Sequence, residues 1–208
     1  MRERITISIK KELLNKIDQQ VDGSRIRNRS HAIEHFVYEA LGLADINNAV
    51  ILAGGEEALK LIPIIEYFLE QFKIYGLSEV CLAVGYLGTK VKEYIGDGTK
   101  FGLKINYLEG GEGTGGAIKM LKEKFKRSFI VVNLDEKIDI DFKKVISFHR
   151  KNLTLSTVAT KDLKKFKGLY IFEPEIFKYI PNGFSMVEND LFPKLFSKGQ
   201  ATAYPLLG

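Results

Sequence analysis

Ala49-Val50-Ile51-Leu52-Ala53-Gly54-Gly55 is an unbroken apolar run that ends on two glycines. A strand with one wet face alternates apolar and polar residues. This one does not, which predicts burial on both faces. Similar runs recur at 80–84, 105–108, 129–133, 154–160 and 168–172, separated by helix-period segments near 59–75, 89–95, 116–125 and 141–150. Apolar strands alternating with helices predict a Rossmann-like α/β domain over 49–208 with a mostly parallel sheet. Such sheets bind ligands beyond the carboxyl ends of their strands. The loops expected there are Ala53-Gly54-Gly55, Gly85-Tyr86, the glycine-rich stretch 110–116 and Asn133-Leu134-Asp135. Their glycines let backbone amides approach a phosphate or a base.

Upstream of the polar junction Asp45-Ile46-Asn47-Asn48 the pattern changes. Arg4-Ile5-Thr6-Ile7-Ser8-Ile9-Lys10 alternates strictly, with three isoleucines on one face and donors and hydroxyls on the other. Helical spacing follows over 11–21 (Leu13, Leu14, Ile17, Val21), then again from Ala32 to Leu41, with Asn28 as N-cap and Gly42 as stop. Residues 1–45 therefore predict strand, helix, helix. One strand and two short helices leave apolar faces uncovered, so pairing with a second copy is expected, and such dimers can join into tetramers.

Composition narrows the classes. The 208 residues are 45% hydrophobic and 27% charged, which indicates a globular chain. No run is long enough for a membrane span and the N-terminus lacks a signal-peptide hydrophobic region, so a cytoplasmic protein is expected. Cys81 is the single cysteine, and it lies in a buried-type run. The net charge of +5 permits nucleic-acid contact. His31 and His35 stand four apart without a third ligand in the nearby sequence, so no metal site and no cofactor are expected.

Two resemblances follow from these stretches. Residues 3–42 resemble a ribbon-helix-helix DNA-binding domain, through Arg4-x-Thr6-x-Ser8 and Asn28-Arg29-Ser30-His31-Ala32-Ile33. The resemblance implies that Arg4, Thr6 and Ser8 read the bases of double-stranded DNA, with Lys10 on the same DNA-binding face. It also implies that Arg25, Arg27, Asn28, Arg29 and Ser30 anchor phosphates.

Residues 49–208 resemble the sugar-phosphate nucleotidyltransferases. The carriers are the 49–55 strand, Val84-Gly85-Tyr86, 94–98, 101–107, Gly113-Thr114-Gly115-Gly116-Ala117-Ile118, Val132-Asn133-Leu134-Asp135, 170–174 and 189–193. The departures concern charge. Glu56-Glu57 follow the glycines where the family has cationic residues, the family's lysine segment is replaced by 160–168, and a second metal carboxylate has no counterpart. A triphosphate site needs such charge, so the expectation is a pseudoenzyme with no catalytic residues. Gly54, Gly55, Gly115, Gly116 and Asp135 would then bind a nucleotide or sugar-phosphate effector.

Together the two halves predict a dimeric DNA-binding transcriptional regulator whose second half senses that effector or mediates assembly. Two alternatives stand beside it: an active sugar-phosphate nucleotidyltransferase, and an antitoxin-like module with a protein partner.

Overall fold

The computed structural model describes residues 5–21, 26, 28–40, 46–55, 58–85, 87–133, 137–162, 164 and 166–206, and the chain divides into two compact units, Met1–Asp45 and Ile46–Gly208. In the first unit, helix α1 spans Lys11–Asp18 and α2 spans Arg29–Ala40. Ile17, Ile26 and Ala32 form its small core, with Ile9, Val21, Ile33 and Phe36 against them. Both expected helices form, although α1 stops before Val21.

The strand expected over 4–10 does not. Residues 5–10 carry no regular structure, and Ile5 is 78% exposed and Ile7 52%. A strand is defined by partners for its backbone N–H and C=O groups, and period-two alternation alone supplies none. The ribbon-helix-helix resemblance is therefore reduced to its helices, and Arg4 lies outside the described residues.

The second unit is one seven-stranded sheet between two helical layers. Its strands are β1 (Asn48–Ala53), β2 (Glu79–Val84), β3 (Lys104–Glu109), β4 (Phe129–Asn133), β5 (Ser156–Thr160), β6 (Gly168–Phe172) and β7 (Ala201–Pro205). Their order is β3-β2-β1-β4-β6-β5-β7. All neighbours are parallel except at β6, which runs antiparallel to β4 and β5.

Helices α3 (Ile62–Ile74), α4 (Gly88–Ile95) and α6 (Phe142–Asn152) supply Phe68, Phe72, Val91, Phe142 and Val145 to one face of the sheet. The other face is covered by α5 (Gly113–Lys119), the segment after it, and α7 (Phe192–Ser197), through Ile118, Phe125, Phe192 and Leu195. Sequence chemistry sets the ends. Pro63 opens α3, Gly76 at φ +83° follows it, and the Asp141 carboxylate accepts the Lys144 N–H at the start of α6.

The chain runs outward in opposite directions from the central pair. From β1 it goes to β2 and β3 on one side, and β4 then begins the other side. The carboxyl ends of β1 and β4 thus flank a topological switch point, where a crevice opens between diverging connections. Among the described residues no helix is long and apolar enough to cross a membrane.

Candidate active site

A cavity of about 350 Å³ lies at that switch point. Its floor is backbone. Gly54 and Gly55 follow β1, Gly85 follows β2, and Gly110, Gly111 and Gly113 follow β3. At Gly85 a Cβ would stand 3.1 Å from the Gly55 amide nitrogen, so any side chain there would push that amide back. Gly113 combines φ +77° with a would-be Cβ 2.4 Å from the Ser185 carbonyl oxygen, so no side chain fits. Small residues bring main-chain amides to the cavity surface, where a flat base or a phosphate can reach them.

The polar part of the wall is Thr114 and Asn133, and both side chains hydrogen-bond to Glu188, which sits in a single π-type turn, Val187–Leu191. Such turns are uncommon and frequent at functional sites. Asn133, the last residue of β4, donates one amide N–H to Glu188 Oε1 and the other to the Tyr170 hydroxyl oxygen at 3.1 Å. Thr114 Oγ1 donates to Glu188 Oε2 at 2.8 Å and accepts the Val187 N–H at 2.9 Å. Tyr170 has one proton for two acceptors, the Phe166 carbonyl at 2.6 Å and Glu188 Oε1 at 3.2 Å, and the shorter contact holds it. Burial, then the Glu188 charge, push the Tyr170 hydroxyl far above its ordinary range. Tyr170 is therefore a permanent neutral donor, not a base.

Glu188 itself is half-buried and keeps free lone pairs. Two of its hydrogen-bond donors, Asn133 and Thr114, line the cavity.

The residues selected from sequence fare unequally. Gly54 and Gly55 line the cavity. Gly115 does not: it is buried against Ser185, whose carbonyl accepts its N–H at 2.8 Å. Gly116 lines a shallower adjoining depression with Lys119 and Asn182. The glycine stretch contributes Gly113 and Thr114 to the cavity instead. Asp135 lies outside the described residues. Among the described residues no three His, Cys, Asp or Glu side chains come together as metal ligands.

In the first unit, Thr6, Ser8 and Lys10 lie on the irregular segment. Asn28 precedes α2 and accepts the Ala32 N–H through its carbonyl, and Ser30 is in the first turn. Arg29 is taken up by Asp18 through two 2.7 Å bonds. Arg25 and Arg27 lie outside the described residues, as do the side chains of His31 and His35.

The family profile for Nucleotidyl transferase matches residues 57–166. The chain belongs to that family. A UTP–glucose-1-phosphate uridylyltransferase of Synechocystis sp. is 27% identical over 186 residues, covering 66% of this family member and 48% of that protein. A D-glycero-alpha-D-manno-heptose 1-phosphate guanylyltransferase of Campylobacter jejuni is 32% identical over 143 residues, covering 62% and 64%. The crystal structure of HddC from Yersinia pseudotuberculosis superposes with a TM-score of 0.61 at 21% identity, covering 77% of this chain and 90% of that one. At that identity the likeness shows the fold. The chain spans about half to two thirds of the length of the curated relatives it matches.

These findings overturn two expectations. The DNA-binding regulator is replaced by a family of transferases, since the relatives are named for transfer to sugar phosphates. The pseudoenzyme expectation falls with it. It equated the loss of particular cationic side chains with the loss of the site, whereas the cavity is formed largely by backbone and is intact without them.

Proposed function

We propose that the unit Ile46–Gly208 is a sugar-phosphate nucleotidyltransferase. An oxygen of a sugar 1-phosphate bonds to the α-phosphorus of a nucleoside triphosphate, and the α–β bridging oxygen leaves with pyrophosphate. The observation that carries this reading is the cavity at the switch point, with a glycine floor on one side and, on the other, a wall of Thr114 and Asn133 backed by Glu188. The floor suits the base and phosphates of the nucleotide. The wall suits a hydroxylated acceptor: Glu188 accepts from a ring hydroxyl, and Asn133, Thr114 and Tyr170 hold the carboxylate still while it does so. Holding both reactants in one crevice removes the entropic cost of their encounter from the barrier.

The floor is rich in small residues (Gly54, Gly55, Gly85, Ala83 and Ala117) with Leu52, Val84 and Met186 beside them, and this broad apolar surface favours a purine. The test is pyrophosphate release from each of the four nucleoside triphosphates, as magnesium complexes, paired with glucose 1-phosphate, mannose 1-phosphate and a heptose 1-phosphate. Release with GTP or ATP and one acceptor is expected. Silence across the whole panel would refute the assignment. Since the function lies in the second unit, a chain lacking residues 1–44 should retain the same kcat.

A further inference from the structure

The depression that adjoins the cavity has no part in the chemistry above. It holds about 360 Å³, its floor is Gly111, Gly116 and Gly183, and Glu112, Lys119 and Met120 stand around it. Phe184, next in sequence to Gly183, is 69% exposed, and Met120 is 50% exposed. Exposed apolar side chains are ordinary where they are scattered singly. Two beside one glycine-floored depression form a patch, and a patch marks an interaction site.

The exposure of Phe184 is built in, because the segment that carries it is tied down on both sides. Lys119 Nζ donates to the Ile180 carbonyl at 2.5 Å. The Ser185 N–H donates to the Glu112 carbonyl at 2.9 Å, and the Ser185 carbonyl accepts the Gly115 N–H at 2.8 Å. Ile180 and Val187, on either side, enter the core. Between these anchors Gly183 turns at φ +78°, and the chain holds the aromatic ring in water.

A ring and a hole side by side on one surface are complementary to a second copy of that surface. A two-fold axis sets the ring of each copy over the hole of the other, the arrangement of an isologous interface. The size is sufficient, since a cavity of ~150 Å³ holds a benzene molecule. Charge follows the same rule. Glu112 makes no ion pair among the described residues, so within one chain it does not pair with Lys119. Lys119 has further ammonium protons beyond the one given to Ile180. Across the axis each carboxylate meets the other copy's ammonium, and opposite charges set in this way fix the register of a contact.

We propose that this face joins two copies of the chain. Phe184 of each enters the depression of the other, beside Met120 and over the glycine floor, with Glu112–Lys119 ion pairs across the axis. The contact belongs to the second unit and is distinct from the pairing expected of residues 4–10. It does not depend on the transferase reading.

The test is sedimentation velocity on the full chain. A contact of this size lies at the weak end of specific interfaces, so assembly is followed from about 1 to 200 µM. Circular dichroism and thermal unfolding first establish that each variant folds. At the top of the range the weight-average mass of the wild type should be at least twice that of F184D, whatever pairing the first unit adds. E112K and K119E each set like charges against one another across the axis and should lose mass as F184D does. Mixed one to one, they restore both ion pairs, and the mixture should regain the wild-type mass. A wild-type mass equal to that of F184D throughout would overturn the inference. So would a mixture no heavier than its components. Should K119E fail to fold, wild type against F184D and E112K decides. No turnover is measured, so this contact and the transferase assignment stand or fall separately.

Discussion

The two edges of the sheet each carry a polar network centred on a glutamate, and they are built to opposite ends. At the amino edge, beyond β6, Glu173 accepts from Ser128 Oγ at 2.8 Å and pairs with His149 Nε2 at 2.9 Å, while His149 Nδ1 meets Thr157 at 2.8 Å. His149 is 4% exposed, and every partner is part of the protein. At the carboxyl edge Glu188 is held just as firmly, yet two of its partners face an open cavity. A polar cluster whose partners are all internal contributes to stability and specificity of packing. One that keeps lone pairs beside a cavity is arranged for something that arrives.

Equivalent substitutions at the two glutamates should therefore have inverse effects. Glu188→Gln should lower kcat/KM by about 100-fold or more, the scale for losing one oriented polar partner of a reacting complex, with little change in Tm. Glu173→Gln should leave kcat at 25 °C untouched and cost about 1–3 kcal/mol of stability, since it removes a charge-assisted bond from a buried cluster. For a chain of this length that is a drop of about 2–4 °C in Tm per kcal/mol, read by calorimetry. If both variants lost activity and kept Tm, the amino edge would belong to the site after all.

A smaller effect is expected on the cavity floor. Gly85→Ala puts a methyl 3.1 Å from the Gly55 amide nitrogen and pushes that amide back. The KM for the nucleoside triphosphate should rise several-fold, corresponding to about 1 kcal/mol of overpacking, while the KM for the acceptor stays put.

Between the edges lies a third, quieter test. Cys81, in the middle of β2, is buried, and burial pushes its thiol up to about 11 from an ordinary 9.0, Lys124 offsetting part of the shift. The folded chain thus keeps a proton that the unfolded chain gives up. This contribution to stability is complete below about pH 9 and lost as pH rises through 11. At pH 8 an aromatic disulfide reagent should titrate the thiol only when urea is added. Fast labelling of the native chain would show that the sheet opens.

Smallest of all is Asp18→Asn in the first unit. The Arg29 guanidinium holds the Asp18 carboxyl below its usual range, but both groups are exposed. Ion pairs of this kind contribute little, so no resolvable change in Tm or turnover is expected at neutral pH.

The sheet could be read from the chain because each of its first six strands is an apolar run punctuated by glycine or polar turns, and six fell within two residues of their places. β7 could not: Ala201-Thr202-Ala203-Tyr204-Pro205 is short, mixed and closed by proline. The site was half visible. Gly54 and Gly55 announce themselves by following a strand. Glu188 does not, because Val-Glu-Asn-Asp reads as surface, and its partners Thr114, Asn133 and Tyr170 come together only through the β4–β6 pairing. Gly115 and Gly116 missed because α5 begins at Gly113, which turns the next glycines toward Ser185 and the adjoining depression. In the first unit, the alternation over 5–10 suits a strand paired with a second copy, and within the single chain those residues carry no regular structure.

The reversed direction of β6 bears on how this protein can change. Ala159 and Leu169 are paired side by side, so the connection between them is the tip of a hairpin rather than a crossover. Lengthening a hairpin tip leaves the ladder beneath it in register, and doubling its length costs only about 0.6 kcal/mol in closure entropy. The tip stands beside the crevice at the switch point and is anchored to the core through Phe166. Selection, or an engineer grafting loops, can rewrite what borders that crevice while every strand stays where it is.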